Sequence, residues 1–164
     1  MFQKLRSDSM GRFFMLIFFV VVLGNCSYKP EPIDYGKDAC AACKMTIVDN
    51  RYAAELITQK GKVLKFDAIE CLFNYKSTNL KDEEIHSEWV CDFSNPGNFI
   101  NLRNAYFLHT EAFQSPMGLD VLCVPSEAKL KVIKSKYGGH IMNYNEVQAL
   151  AIQSKIMMKM EEHH

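Results

Sequence analysis

The chain predicts an α+β fold made of two unequal copies of one small module, with antiparallel sheets and helices on one face. Three observations lead there. Short apolar runs alternate and are bounded by Gly, Pro, Asn and Asp, which is the patterning of strands. Later stretches change to a helical period. Gly61–Leu72 (GKVLKFDAIECL) also aligns without a gap on Gly139–Leu150 (GHIMNYNEVQAL), a self-similarity that reads as one unit used twice. Strands and helices in this order place helices against small antiparallel sheets.

Taken in order, the chain opens with Lys4, Arg6 and Arg12 before an unbroken apolar run of 11 residues, Phe13–Leu23. That is the layout of a secretory signal, and it falls short of the about 20 residues a spanning helix needs. The run stops at Leu23-Gly24-Asn25-Cys26, which resembles a bacterial lipobox. Residues 1–25 therefore read as a lipoprotein signal peptide and Cys26 as the lipidation site, with an uncleaved anchor as the alternative. Either way the rest of the chain lies outside the cytoplasm, tethered to a membrane. Residues 26–37, with Pro30, Pro32 and Gly36, read as an extended spacer.

The first module spans residues 38–78. Met45–Val48 and Tyr52–Thr58 are strand-like around Asp49-Asn50, and Val63–Phe66 follows a turn at Gln59-Lys60-Gly61. Asp67 and Glu70 have the spacing of a capping box for a helix ending near Ser77. Residues 79–86 form a polar connector, and the second module spans 87–164. It contains strands at Glu88–Phe93 and Ala105–His109 around an Asn/Pro/Gly loop, and an apolar strand, Leu119–Val124, ended by Pro125. Ser126–Tyr137 is helical, with Ala128, Leu130, Val132 and Ile133 inward and lysines outward, closed by Gly138-Gly139. His140–Tyr144 is a strand, and Asn145 caps a last helix from Glu146 to about Met160.

Charge excludes one class of partner. There are 19 basic and 19 acidic residues, or 16 and 18 once residues 1–25 are removed, so no basic footprint for nucleic acid exists.

Cysteine carries the chemistry. With Cys26 acylated, Cys40, Cys43, Cys71, Cys91 and Cys123 remain. Five thiols cannot all pair within one chain, so at least one stays free, binds metal or joins another chain. Cys40-Ala-Ala-Cys43-Lys-Met45 puts three soft donors within six residues, and thiolate with thioether is the set that favours Cu(I) over hard cations. A zinc ribbon would need a second cysteine pair of similar spacing, and Lys44 rules out c-type haem attachment. Two rivals stay open: a thiol–disulfide redox protein and an envelope lipoprotein held by a structural Cys40–Cys43 disulfide.

The repeat places Met117, in Ser115-Pro116-Met117-Gly118, at the position equivalent to Met45. There a tight turn would present its side chain. Cys40, Cys43, Met45 and Met117 are thus the candidate ligands of Cu(I), in a protein with no catalytic residues. Cys71 reads as a small core residue on the first helix. Cys91 and Cys123 read as strand residues that pair or pack, and His86, His109 and His140 as exposed or hydrogen-bonded rather than ligating.

These motifs carry a family resemblance. Asp38-Ala-Cys40-Ala-Ala-Cys43-Lys-Met45, the segment Lys62 to Leu72, Ser115-Pro116-Met117-Gly118 and Tyr137-Gly138-Gly139 together resemble the NosL family of copper lipoproteins over roughly residues 26–150. The resemblance implies two similar small ββαβ-type modules, and a lipid-anchored, periplasm-facing Cu(I) chaperone of the cell envelope, expected at the outer membrane. It further implies nitrous oxide reductase and its membrane assembly factors as partners, with copper supplied for that enzyme's copper–sulfide centre. The carboxy-terminal Ile156-Met157-Met158-Lys159-Met160-Glu161-Glu162-His163-His164 lies outside the family pattern.

Overall fold

The structure, a computed structural model, describes residues 28–161. The signal peptide expected over 1–25 and the acylation expected at Cys26 fall outside them. Among the described residues, seven strands and three α-helices follow one another as β1 (Ala54–Thr58), β2 (Val63–Phe66), α1 (Ile69–Asn79), β3 (Ile85–Cys91), β4 (Phe99–Asn101), β5 (Tyr106–His109), β6 (Val121–Val124), α2 (Glu127–Tyr137), β7 (His140–Met142) and α3 (Tyr144–Glu161). The strands make two antiparallel sheets, of order β2-β1-β3-β4 and β6-β5-β7. The α+β class is as the sequence predicts.

Each sheet is built on a ββαβ unit whose first strand is central. β1-β2-α1-β3 gives the order β2-β1-β3, and β5-β6-α2-β7 gives β6-β5-β7. The partner of β2 and α1 in the second unit is therefore β6 and α2, not the β7 and α3 that the alignment of Gly61–Leu72 with Gly139–Leu150 selects. In the structural register Val63, Leu64 and Leu72 match Val121, Leu122 and Leu130. The sequence alignment misleads because strand, turn and capped helix recur in both places with the same residue types. As a result Met45, which precedes β1, and Met117, which joins β5 to β6, are not equivalent positions.

Local chemistry accounts for the other departures. No regular strand forms over Met45–Val48. That stretch belongs to a loop closed by a single bridge between Ala39 and Thr46. Phe99–Asn101, expected as loop, pairs with β3 through Ile100 opposite Val90. Ala68, not Asp67, is the N-cap of α1 and supplies no side-chain cap, and Glu70 is engaged elsewhere. Helix α3 does have a capping box, at Asn143 rather than Asn145, two residues earlier than expected. Asn143 Oδ1 accepts from the Glu146 amide at 3.0 Å and Glu146 Oε2 accepts from the Asn143 amide at 2.8 Å.

The two units share one core. Val147 and Ala151 of α3 are buried with Leu72 and Phe73 of α1, and the Tyr144 and Phe73 rings meet edge-on at 5.2 Å. Each fully buried Leu, Val or Phe contributes about 1.5–3 kcal/mol relative to exposure. A polar hub reinforces the same junction. Glu88 on β3, itself buried, accepts from Lys76 of α1 at 3.1 Å, Arg103 at 2.9 Å and the Tyr144 hydroxyl of α3 at 3.0 Å. Among the described residues no helix is long and apolar enough to cross a membrane.

Candidate metal centre

The Cys-x-x-Cys segment is a tight loop laid on the edge of the first sheet. Its ends are tied by Cys40 N–H to the Met45 carbonyl at 2.8 Å and by Ile47 N–H to the Asp38 carbonyl at 2.9 Å. Lys44 takes the left-handed conformation, at φ 66°, to turn the chain. Lys65 of β2 then fixes the loop from the side: its ammonium reaches Asp38 at 2.7 Å and its carbonyl accepts from the Ala41 amide at 2.8 Å. Because β2 runs directly into α1, this docking brings the loop beside the first turn of α1, where Cys71 projects.

The Sγ atoms of Cys40, Cys43 and Cys71 lie within 4.8 Å of one another. Sulfurs bound around one ion at about 2.3 Å stand about 4 Å apart in a trigonal plane, so small side-chain adjustments would close this cluster on a soft cation. Cys40 and Cys71 are sealed at 1% and 3% exposure, whereas Cys43 is half-buried and forms the open side.

Hydrogen bonding polarises the trio. The Cys71 thiol donates to Cys40, and the backbone amides of Asp67, Cys43 and Ala42 add to it, so that Cys40 is drawn down to about 5 against the opposing effect of burial. Cys71 is pushed far up by the same bond and by burial, and burial foremost raises Cys43. The arrangement favours the thiolate at Cys40 and the thiol at Cys71 and Cys43. A metal ion entering it displaces the remaining protons. Asp67, whose carboxyl is raised by burial and then by the Cys40 charge, lines the back of the cluster with Oδ1 unpartnered.

Two of the expected ligands, Cys40 and Cys43, are brought together. Cys40 and Cys43 meet a third thiol, Cys71, which the sequence reading places in the core. No spacing rule could have found it, since the contact exists only once β2 carries the loop to α1. Met45 is 55% exposed just past Cys43. Met117 is half-buried in the β5–β6 turn, which α1 holds in place: Glu70, the residue before Cys71, accepts from Ser115 Oγ at 2.9 Å and from the Leu119 amide at 3.3 Å. The five described cysteines are all free. Cys91 and Cys123 are buried, with Cys91 against the Tyr35 hydroxyl at 3.5 Å. His86 stacks on Tyr28 at 4.0 Å, and His109 and His140 face each other across β5 and β7.

A two-sheet α+β protein with three thiols converging on one point has the donor set of a soft-metal site. The NosL family model matches residues 33–152, and the chain belongs to that family. Among solved structures it is similar to the copper chaperone NosL from Shewanella denitrificans, with a TM-score of 0.63 and 23% identity, over 73% of this chain and 96% of that one. Among curated proteins none matches.

Proposed function

We propose that the protein is a non-catalytic copper chaperone that carries Cu(I) on Cys40, Cys43 and Cys71. The observation that carries this reading is the convergence of three thiols within 4.8 Å, a donor set suited to Cu(I). Family membership and a fold shared with a protein described as a copper chaperone support it. Thiol–disulfide exchange fits less well, because it calls for a Cys-x-x-Cys at a helix N-terminus, whereas Cys40 and Cys43 sit in a closed loop.

In this proposal Cys26 carries the lipid, and the folded part faces the periplasm from the outer membrane. The recipient is nitrous oxide reductase, reached through its membrane assembly factors for the building of its copper–sulfide centre. Copper would be released by ligand exchange from the Cys43 side. The thioethers of Met45 and Met117 serve as outer donors that need no deprotonation, while each thiolate freed takes up a proton from solvent.

Competition between the reduced protein and a chromophoric Cu(I) chelator tests the reading. The parent is expected to hold one Cu(I) per chain against the chelator, far more tightly than Zn(II), and Cys71→Ser to lose about 100-fold or more in affinity. Parental affinity in Cys71→Ser, or equal competition by Zn(II), would overturn it.

A further inference from the structure

Among the described residues a second set of soft donors lines one groove, and none of the three thiols is in its lining. His109 at the end of β5, Met117 in the β5–β6 turn and Met157 on α3 line one groove of about 440 Å³. Leu150, Gln153 and Met157 form its α3 wall, at the spacing of one helix face. Met157 is 55% exposed, and His109 and Met117 are half-buried, so two thioethers and an imidazole stand at the protein surface while Cys40 and Cys71 are sealed. The two places are joined. Ser115 and Leu119, which bracket Met117, are both hydrogen-bonded to Glu70, and Glu70 adjoins Cys71 on α1.

We propose that His109, Met117 and Met157 form a second, weaker Cu(I) site through which copper enters and leaves the three-thiol cluster. The inference rests on the copper-chaperone reading. Imidazole and thioether are soft or borderline donors that suit Cu(I), and neither must lose a proton to bind it. Without a thiolate the groove leaves the positive charge uncompensated, so it holds the ion less tightly than the cysteines and exchanges it more readily. Copper stays Cu(I) throughout. A bond to the Met117 sulfur forms as a bond to a cysteine sulfur breaks, and the freed thiolate is protonated by solvent. The groove is larger than one ion requires and leaves room for a donor side chain of the recipient.

The test is a titration of the reduced full chain, labelled with 13C-methyl methionine, with Cu(I) supplied as its acetonitrile complex. Thiolate-to-copper ultraviolet absorption and the methyl and imidazole NMR signals are followed together. Absorption should saturate at one equivalent, and the signals of Met157 and His109 should move only with the second. In Met157→Leu and in His109→Ala the second equivalent should be lost, with first-site affinity and Tm unchanged and transfer of the first Cu(I) to a soft chelator slowed about tenfold. Normal thiolate absorption with silent Met157 and His109 signals would overturn the groove site alone. So would movement of those signals in step with the first equivalent, or parental transfer rates in both variants. Absence of thiolate absorption from the parent would overturn the copper-chaperone reading and this inference with it.

Discussion

A single buried carboxylate shows how strongly burial acts here. Glu55, on β1, is 0% exposed; its Oε2 accepts from the Glu31 amide at 2.9 Å and its Oε1 has no partner. Burial pushes its pKa up from 4.5 to about 7, only partly offset by that amide and by Lys65. The folded state therefore holds a proton that the unfolded chain releases near pH 4.5. The contribution to stability is full below that pH and is lost as pH rises through about 7. Glu55→Gln cannot titrate, so the gap between parent and variant should widen against the parent by about 3 kcal/mol from pH 4.5 to 8. Thermal unfolding across that range measures it, and parallel curves for the two proteins would contradict the assignment. Cysteine divides in the same way: Cys123 is buried in a strand and pushed well up by burial, whereas Cys40, equally sealed, is drawn down by a thiol and three amides. Residue type alone shows neither fate.

Elements were legible where their signals are local. Strand β2, the Ser126-capped α2 and the existence of α3 follow from alternation, capping residues and the Gly138-Gly139 stop, because those features act within a few residues. The start of α1 was not legible in the same way. Asp67 and Glu70 have capping-box spacing, yet Glu70 is drawn out of its own helix to hold the Met117 turn, a partner 45 and 49 residues away. Removing the side chain should separate the two roles. Glu70→Ala orphans the Ser115 hydroxyl and the Leu119 amide, at roughly 1–3 kcal/mol for each buried group left unpaired. Glu70→Gln keeps the acceptor and should stay within about 1 kcal/mol of the parent in chemical denaturation. Equal loss in both variants would show that charge at Glu70, rather than its acceptor oxygen, secures the turn.

On the scale of the whole molecule, the metal centre is a product of topology. Loop 38–47 supplies two thiols, the β2–α1 junction carries that loop to the third, and α3 seals α1 from the far side through Phe73, Tyr144, Val147 and Ala151. The soft-metal motif Cys40-x-x-Cys43 was legible in the sequence because its donors are adjacent. Cys71 was not, since 27 residues and a sheet edge lie between it and Cys43. Nor was the true register of the duplication, because two different strand–helix steps share one residue grammar. The central claim is that Cys71 completes the copper site. X-ray absorption at the copper edge, on the reduced full chain loaded with one equivalent of Cu(I), tests it most directly. The account predicts a first shell of three sulfurs in the parent that falls to two in Cys71→Ser. An unchanged shell in that variant, or a parental shell made only of nitrogen and oxygen, would contradict it.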